Sequence, residues 1–372
     1  MKRISLLLLG AAFLLVSVVP AEAARPQNAQ IQTAIAPASM YMRVLERFKS
    51  YVETLSGGQL TIELLPIGAV VGGGQIGEAV GNGVVQGGMW WIHWASGRHP
   101  AGILFSALPG GGGIGLSEGS QLSWIWEGDG RQLANRYYQD FAKLNVVTFP
   151  CLPMGPEPFG WFHDRFTSVE EINRLKFRSP PGVPSEIYAA MGMPVVSMPG
   201  AEIVPAAQRG VIDAAEWIGP QEDMMMGLHT VWKYYYLQGL HQSNSIGDIF
   251  FNKAWFDKLP ANQQAIIEIA ARATMADQIN MNIHLNSAAL VELTRDHGVM
   301  LVDTPVDYFV TYMTAAKEVL DRYIAQDAFF KEVWESLVAW AQMTVPYTTR
   351  AHGLYYQFGR IAMDTGVIKD FQ

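Results

Sequence analysis

The chain has 372 residues, 49% of them hydrophobic and 16% charged, with a formal net charge of −8. That composition is too apolar for a disordered chain, and the length suffices for two folded cores. An acidic balance without a basic cluster excludes a nucleic-acid binder held by phosphate contacts. The single cysteine, Cys151, excludes an internal disulfide and a zinc–thiolate cluster, and reads as a buried, inert thiol.

Lys2 and Arg3 precede an apolar run over residues 4–19, followed by Pro20 and Ala21-Glu22-Ala23. A basic start, a short greasy core and small residues at the end mark a secretory signal peptide. Cleavage after Ala23 makes Ala24 the new start and puts the mature chain outside the cytoplasm. The run falls short of the roughly 20 residues of a comfortable membrane span.

Residues 29–35 alternate weakly, as a strand does. Ser39 is placed to cap a helix whose apolar positions Tyr41, Val44, Leu45, Phe48 and Val52 recur at three and four. Gly57 and Gly58 close it. Leu60, Ile62 and Leu64 alternate with Thr61 and Glu63 in a second strand. A short helix over 75–80 leads to a third strand over 84–91, completing a β-α-β-α-β unit. Gly72, Gly74 and Gly77 spell G-x-G-x-x-G, but that strand is not the first of its unit. No acid follows Glu78 until Glu118, so the motif reads as a turn into a helix and not as a dinucleotide site. His93, beside Trp90, Trp91 and Trp94, is either a ligand-bonding group at a strand end or an ordinary half-buried histidine. Residues 110–113 are a glycine loop at a hinge or rim.

The second half repeats the unit. Ser168 and Glu171 suit a capping box for a short helix into Leu175. Phe177 starts a strand, a helix over 184–191 ends at Gly192, and a strand covers 194–198. A helix over 202–209 ends at Gly210 and a third strand covers 211–217. Two such units imply two α/β lobes with a cleft between them. Residues 261–297 contain neither Gly nor Pro. As one helix they would extend ~55 Å, more than one lobe, and so would span both. A second helical pattern over 307–343 carries Phe309, Tyr312, Tyr323, Phe329, Phe330, Trp334 and Trp340. That much aromatic surface needs a cover, from a lobe or a partner subunit.

Chemistry concentrates at the strand ends of the second unit, where open parallel sheets bind ligands. Arg178 follows Phe177; its planar fork of donors grips a carboxylate bidentately, the plain alternative being a surface ion pair. Glu216 and Trp217 close an apolar strand, and a carboxylate there needs a partner, either Arg178 or a bound Na⁺ or Ca²⁺. Glu157 and Gln242 could add oxygens to a hard-cation set. Asp213, Glu222 and Asp223 read as caps or rim charges. Histidines at metal spacing and H-E-x-x-H are missing from the sequence, so no hydrolytic metal site is recognisable, and no nucleophile–base pair stands at a recognisable spacing.

Over essentially the whole mature chain these residues resemble the DctP-type solute receptors of TRAP transporters, and most of all the branch that binds α-keto or α-hydroxy acids as metal complexes. The likeness is carried by SGGQLTIELLPIG (56–68), PEPFGWF (156–162), LKFRSPPG (175–182), PGAEIVPAAQRGVIDAAEWIGP (199–220) and FFNKAWFDKLPANQQAII (250–267). It implies a two-lobed, Venus-flytrap α/β receptor with a long lobe-spanning helix and C-terminal helices. Such a receptor hands its ligand to a membrane permease pair driven by an ion gradient. The family's carboxylate-binding arginine falls on Arg178. Its metal-holding glutamate and tryptophan carbonyl fall on Glu216 and Trp217. Its glutamine and glutamate ligands fall on Glu157 and near Gln242, the two side-chain types being exchanged here. Ala36-Pro37 replaces a tryptophan-proline, and Trp91, His93 and Trp94 stand where a tyrosine-rich wall is usual. Some members pair as homodimers through long C-terminal helices.

The expectation is therefore a periplasmic receptor, not an enzyme, for a pyruvate- or lactate-like 2-oxo or 2-hydroxy monocarboxylate. It would bind with a Na or Ca ion and no organic cofactor. Arg178, Glu157, Trp217, Gln242, His93 and Trp94 contact the substrate; Glu216, Trp217, Gln242 and Glu157 hold the metal. The alternatives are a receptor of the same fold for a metal-free sugar acid or aromatic acid, and an exported enzyme acting on a small acid. Residues 1–23 form the signal, 24–148 plus 241–282 one lobe, 149–240 plus 283–304 the other, and 305–372 a C-terminal helical segment.

Overall fold

The computed structural model describes residues 26–370. The expected signal segment and its cleavage point lie outside the described residues. No helix among those described is long and apolar enough to cross a membrane.

Eleven strands are described: β1 Gln27–Thr33, β2 Leu60–Leu65, β3 Gly87–Trp91, β4 Val146–Pro153, β5 Gly160–Phe162, β6 Phe177–Arg178, β7 Val195–Val196, β8 Ala214–Ala215, β9 Tyr234–Tyr236, β10 Ile246–Asn252 and β11 Met300–Val302. They form two sheets, of order β2-β1-β3-β10-β4 and β11-β9-β5-β8-β6-β7. In the first sheet β1 pairs in parallel with β2 and β3, while β10 runs antiparallel to β3 and β4. In the second, β6 lies parallel to β7 and β8. β10 is buried along its length, as a central strand covered on both faces must be.

Local chemistry explains several helix boundaries. Ser39 Oγ accepts from the Tyr41 amide at 3.2 Å and starts the helix Met40–Leu55, whose stripe Tyr41, Val44, Leu45, Phe48 and Val52 is buried. The helix Ala261–His297 runs unbroken for 37 residues and ends at Gly298, with φ 64°. It packs on the first sheet through β4 and the helix Met40–Leu55, and also on the helix Pro220–Met226 beside the second sheet. The pattern over 307–343 resolves into two helices, Val306–Gln326 and Ala328–Ala351. Asp327 divides them, its carboxylate accepting from the Phe330 amide at 2.6 Å. Part of the aromatic surface is covered by the chain itself: Tyr308 stacks on Phe159, ring centres 4.2 Å apart.

Three expectations change. The Ser168 capping box does not form, because Glu171 accepts from the Thr167 amide at 2.7 Å, one residue earlier. β7 and β8 are only two residues long. Prolines flank β7, and proline cannot donate to a ladder. The Met198 carbonyl beyond β7 accepts from the Arg178 side chain instead. The glycines at 110–113 are a packed buttress and not a free rim. All four have positive φ, the Gly110 amide donates to the Leu240 carbonyl at 2.6 Å, and Met313 and Trp334 close over them.

Gly77 is required for packing: a Cβ there would lie 2.5 Å from the Trp90 ring. Gly77→Ala is expected to cost about 1–3 kcal/mol by overpacking. Urea denaturation checks this, and an unchanged midpoint would contradict the close helix–strand contact.

Candidate functional site

Besides the helix Ala261–His297, which leads from β10 to β11, the chain passes between the sheets at 154–159 and at 237–245. The two passages run side by side: Met154 N donates to Ser245 O at 2.9 Å and Glu157 N to Gln242 O at 3.0 Å. This pairing sets Glu157, His241 and Gln242 next to one another. Register supplies the rest. Arg178 of β6 lies opposite Ala215 of β8, so the next residue, Glu216, leaves the strand beside the guanidinium.

The result is a cluster of buried charges. Arg178 Nη1 donates to Glu216 Oε1, while Nε and Nη2 donate to the Met198 carbonyl at 3.2 and 3.0 Å. Arg178 is 6% exposed and Glu216 2%. His241 Nε2 lies 3.2 Å from Glu157 Oε2 and 3.7 Å from Glu216 Oε2. Its Nδ1 lies 3.1 Å from the Tyr188 hydroxyl. Ligand atoms of Glu157, Glu216 and His241 all fall within 4.8 Å of one another. With its amide nitrogen turned toward Glu157, Gln242 donates to that carboxylate at 2.7 and 3.0 Å. A ligand-facing Gln242 oxygen would therefore require the amide to turn. The Trp217 ring lies 5.3 Å from the guanidinium carbon and leans on Gly200, where a Cβ would approach it to 2.4 Å.

Burial alone would lower the pKa of His241, but the hydrogen bonds and charges of Glu157 and Glu216 outweigh it and hold the imidazolium up, to about 9. Burial pushes Glu157 up to about 7, against the pull of His241. With all four groups ionised the cluster sums to zero charge. Asp223, expected as a cap or rim charge, is wholly buried. Three donors take it in: the Trp161 indole, the Tyr235 hydroxyl and the Gly219 amide, each at 2.8 Å. Burial still raises its pKa to about 7.

Arg178, Glu216, Trp217, Glu157 and Gln242 thus come together. His93 and Trp94 belong to the turn Ile92–Gly97 after β3. A Cβ on Gly182 would lie 3.7 Å from Ser96 Oγ, so this turn faces the loop that follows Arg178. His93 Nδ1 is 3.0 Å from Ser106 Oγ, and burial lowers its pKa to about 3, leaving it neutral. Trp94 packs on Trp91, ring centres 5.0 Å apart. No hydrogen bond joins His93 or Trp94 to the Arg178 cluster among the described residues.

Sequence reasoning missed three groups. His241 meets carboxylates 84 and 25 residues away, a relation with no local spacing. Asn244 is 1% exposed, and neither of its amide atoms is hydrogen-bonded. The Tyr41 hydroxyl, on a stripe read as core, is also buried and unbonded, with Glu222 and Glu157 among the carboxylates around it. Buried polar groups without a protein partner call for one from outside.

Two α/β layers joined by a double passage, with a buried cationic and acidic site at the passage and the strand ends, define a two-lobed solute-binding protein. The chain belongs to the bacterial extracellular solute-binding protein family 7, DctP, whose sequence profile matches residues 31–327. The resemblance read from the sequence is borne out by that match. A monocarboxylate 2-oxoacid-binding periplasmic protein of Nostoc sp. is 29% identical over 306 residues, covering 82% of this chain and 81% of its own. A TRAP transporter solute-binding protein from Bordetella bronchiseptica superposes with a TM-score of 0.84 at 22% identity, covering 92% of this chain and 99% of its own. That protein was crystallised as a mixed-occupancy dimer, with calcium and picolinate in one active site and the other apo. A TRAP periplasmic solute-binding protein from Colwellia psychrerythraea, with bound calcium and pyruvate, superposes with a TM-score of 0.81 at 25% identity over 90% of this chain and 99% of its own. The fold is thus the two-lobed α/β fold expected.

The raised pKa of His241 has a consequence for stability. A histidine held at about 9 when folded and about 6.5 when unfolded stabilises fully below pH ~6.5, and that contribution is lost as pH rises through ~9. His241→Gln is expected to flatten the stability profile between about pH 7 and 9. Thermal unfolding across that range checks it; an unchanged slope would remove His241 from the ion-paired cluster.

Proposed function

We propose that the protein is the extracytoplasmic receptor of a TRAP transporter. It binds a small 2-oxo or 2-hydroxy monocarboxylate, of pyruvate or lactate size, and delivers it unchanged to the membrane permease subunits. The observation that carries this reading is the buried cluster of Arg178, Glu216, His241 and Glu157. Arg178 already spends its donors on oxygen acceptors, and a ligand carboxylate would take their place with bidentate geometry. Glu157 and Glu216, freed to face one another, suit a Na⁺ or Ca²⁺ ion, with the Trp217 carbonyl and the Gln242 amide as further oxygens. When bound, such an ion would supply positive charge that attracts the ligand's oxygens. The unbonded Asn244 amide and Tyr41 hydroxyl offer polar partners. Trp217 would wall the pocket from the second lobe, and His93 and Trp94 from the first. The names of the Nostoc and Colwellia proteins support the substrate class.

A receptor and not an enzyme is favoured by what the one serine–histidine hydrogen bond among the described residues does. Ser106 donates to the Ile246 carbonyl at 2.6 Å, so its hydroxyl proton is not offered to His93. A metal-free sugar-acid or aromatic-acid receptor is the second reading. It is favoured by His241 itself, a cation already seated between both carboxylates.

The periplasm is the proposed location, after removal of residues 1–23. The lobes are proposed as 24–148 plus 241–282 and 149–240 plus 283–304, with 305–372 as a helical appendage. We also propose that two copies pair through this appendage. The helix Gly353–Asp364 buries no residue and exposes Tyr355, Tyr356 and Phe358 together with Leu354 and Ile361. Sedimentation is expected to give a dimer that becomes a monomer when the chain stops after His352; a full-length monomer would contradict pairing.

Calorimetric titration with pyruvate tests the function. Arg178→Ala is expected to weaken binding by about 2–5 kcal/mol, and Arg178→Lys to lose the bidentate grip. Chelation combined with sodium removal should weaken binding to the unaltered protein. Unchanged affinity in Arg178→Ala would take the arginine out of the site, and indifference to cations would favour the second reading.

A further inference from the structure

The segment that leaves the site carries three carboxylates with three different destinations. Glu216 pairs with Arg178. Asp223 is anchored in the core of the second lobe by Trp161, Tyr235 and the Gly219 amide. Glu222, between them in sequence, turns toward the first lobe. Its Oε1 accepts from the Ser39 hydroxyl at 3.0 Å and from the Met40 amide at 2.9 Å. Both donors stand at the start of the helix Met40–Leu55, which packs on β2 of the first sheet.

Resting on the receptor reading above, we propose that Glu222 is an inter-lobe latch that holds the two lobes closed and sets how long the ligand stays. The first amides of a helix have no partner within it, and a carboxylate is favoured there by the helix dipole. Ser39 Oγ serves the Tyr41 amide, which leaves the Met40 amide to Glu222. In an open form water would satisfy both sides, so the contact is reversible. Asp223 gives Glu222 a fixed base, because its neighbour in the chain cannot move without breaking three buried hydrogen bonds. The turn that Glu222 holds also carries Tyr41, whose buried hydroxyl is unbonded. Latching therefore brings a free donor to the site from the opposite lobe. Glu222 itself need not touch the ligand.

The latch favours the closed state alone, so its loss lowers the binding-competent fraction and accelerates release more than it slows capture. Glu222→Ala is expected to raise the pyruvate dissociation rate about ten- to hundredfold, the effect of losing a charge-assisted hydrogen-bond pair. Ser39→Gly, which keeps a tolerated helix start but removes one donor, should give a smaller increase, and the double variant less than the product of the two. Spin labels on Ser50→Cys, in the helix Met40–Leu55, and on Arg209→Cys, just past the helix Gly200–Gln208, occupy exposed positions of opposite lobes and report opening without any ligand. Cys151 is buried and does not compete for label. Glu222→Ala should shift their distance distribution to longer values. Unchanged distances and unchanged release, in a variant that melts like the parent, would overturn the latch. If the unaltered protein binds no carboxylate, the receptor reading fails, and the label distances still decide the latch.

Discussion

Four ionisable groups share one dry crevice, and the rest of the site is arranged to make that tolerable. Arg178 and Glu216 are nearly inaccessible to water, and His241 and Glu157 lie directly against them. Burying any one of these charges alone would cost several kcal/mol, and breaking a buried pair by removing one member typically costs about 3–5 kcal/mol. The cluster persists because its charges sum to zero and its donors are matched. Arg178 bonds Met198 as well as Glu216, and His241 bonds Tyr188 as well as Glu157. Such an arrangement contributes little net stability but is prepared to exchange partners. A monocarboxylate entering with one monovalent cation leaves the charge balance unchanged. A neutral ligand would gain nothing from displacing these ion pairs.

The architecture brings the four groups together from four distant segments. β6 and β8 present Arg178 and Glu216 because their register aligns the strand ends. The two passages between the sheets present Glu157 and His241 because they hydrogen-bond to one another as they cross. Placing half the site on the passages and half on one lobe makes its geometry depend on the angle between lobes. The long helix Ala261–His297 and the Glu222 contact both span that joint. On the proposed reading, ligand binding, lobe angle and the polar contacts of the first helix turn form one coupled system.

Much of this was legible in the sequence, and the exceptions have physical causes. The absence of Gly and Pro over 261–297 marks an unbroken helix, and the structure gives those bounds. The alternation at Leu60, Ile62 and Leu64 marks a half-buried strand. Arg178 and Glu216 stood out because each is a charged residue ending an apolar strand. Tyr41 did not, because a tyrosine on a helical apolar stripe looks like core packing; its hydroxyl becomes conspicuous only when no partner is found. His241 and Asn244 sit in an irregular passage without periodicity. Asp223 looked like a rim charge because its three donors come from Gly219, Trp161 and Tyr235, and the latter two meet it only after the second sheet forms. The break at Asp327 is a capping event, and a helical pattern continuing on both sides conceals it.

The central claim is that this charge cluster holds a small organic acid in the protein as it is made. The most direct test is denaturing release and mass analysis of whatever the purified protein carries, with Arg178→Ala prepared in parallel. A 2-oxo or 2-hydroxy monocarboxylate at about one per chain, missing from the variant, is the expected result. A bound molecule without a carboxylate, or the same acid retained in full by the variant, would contradict it.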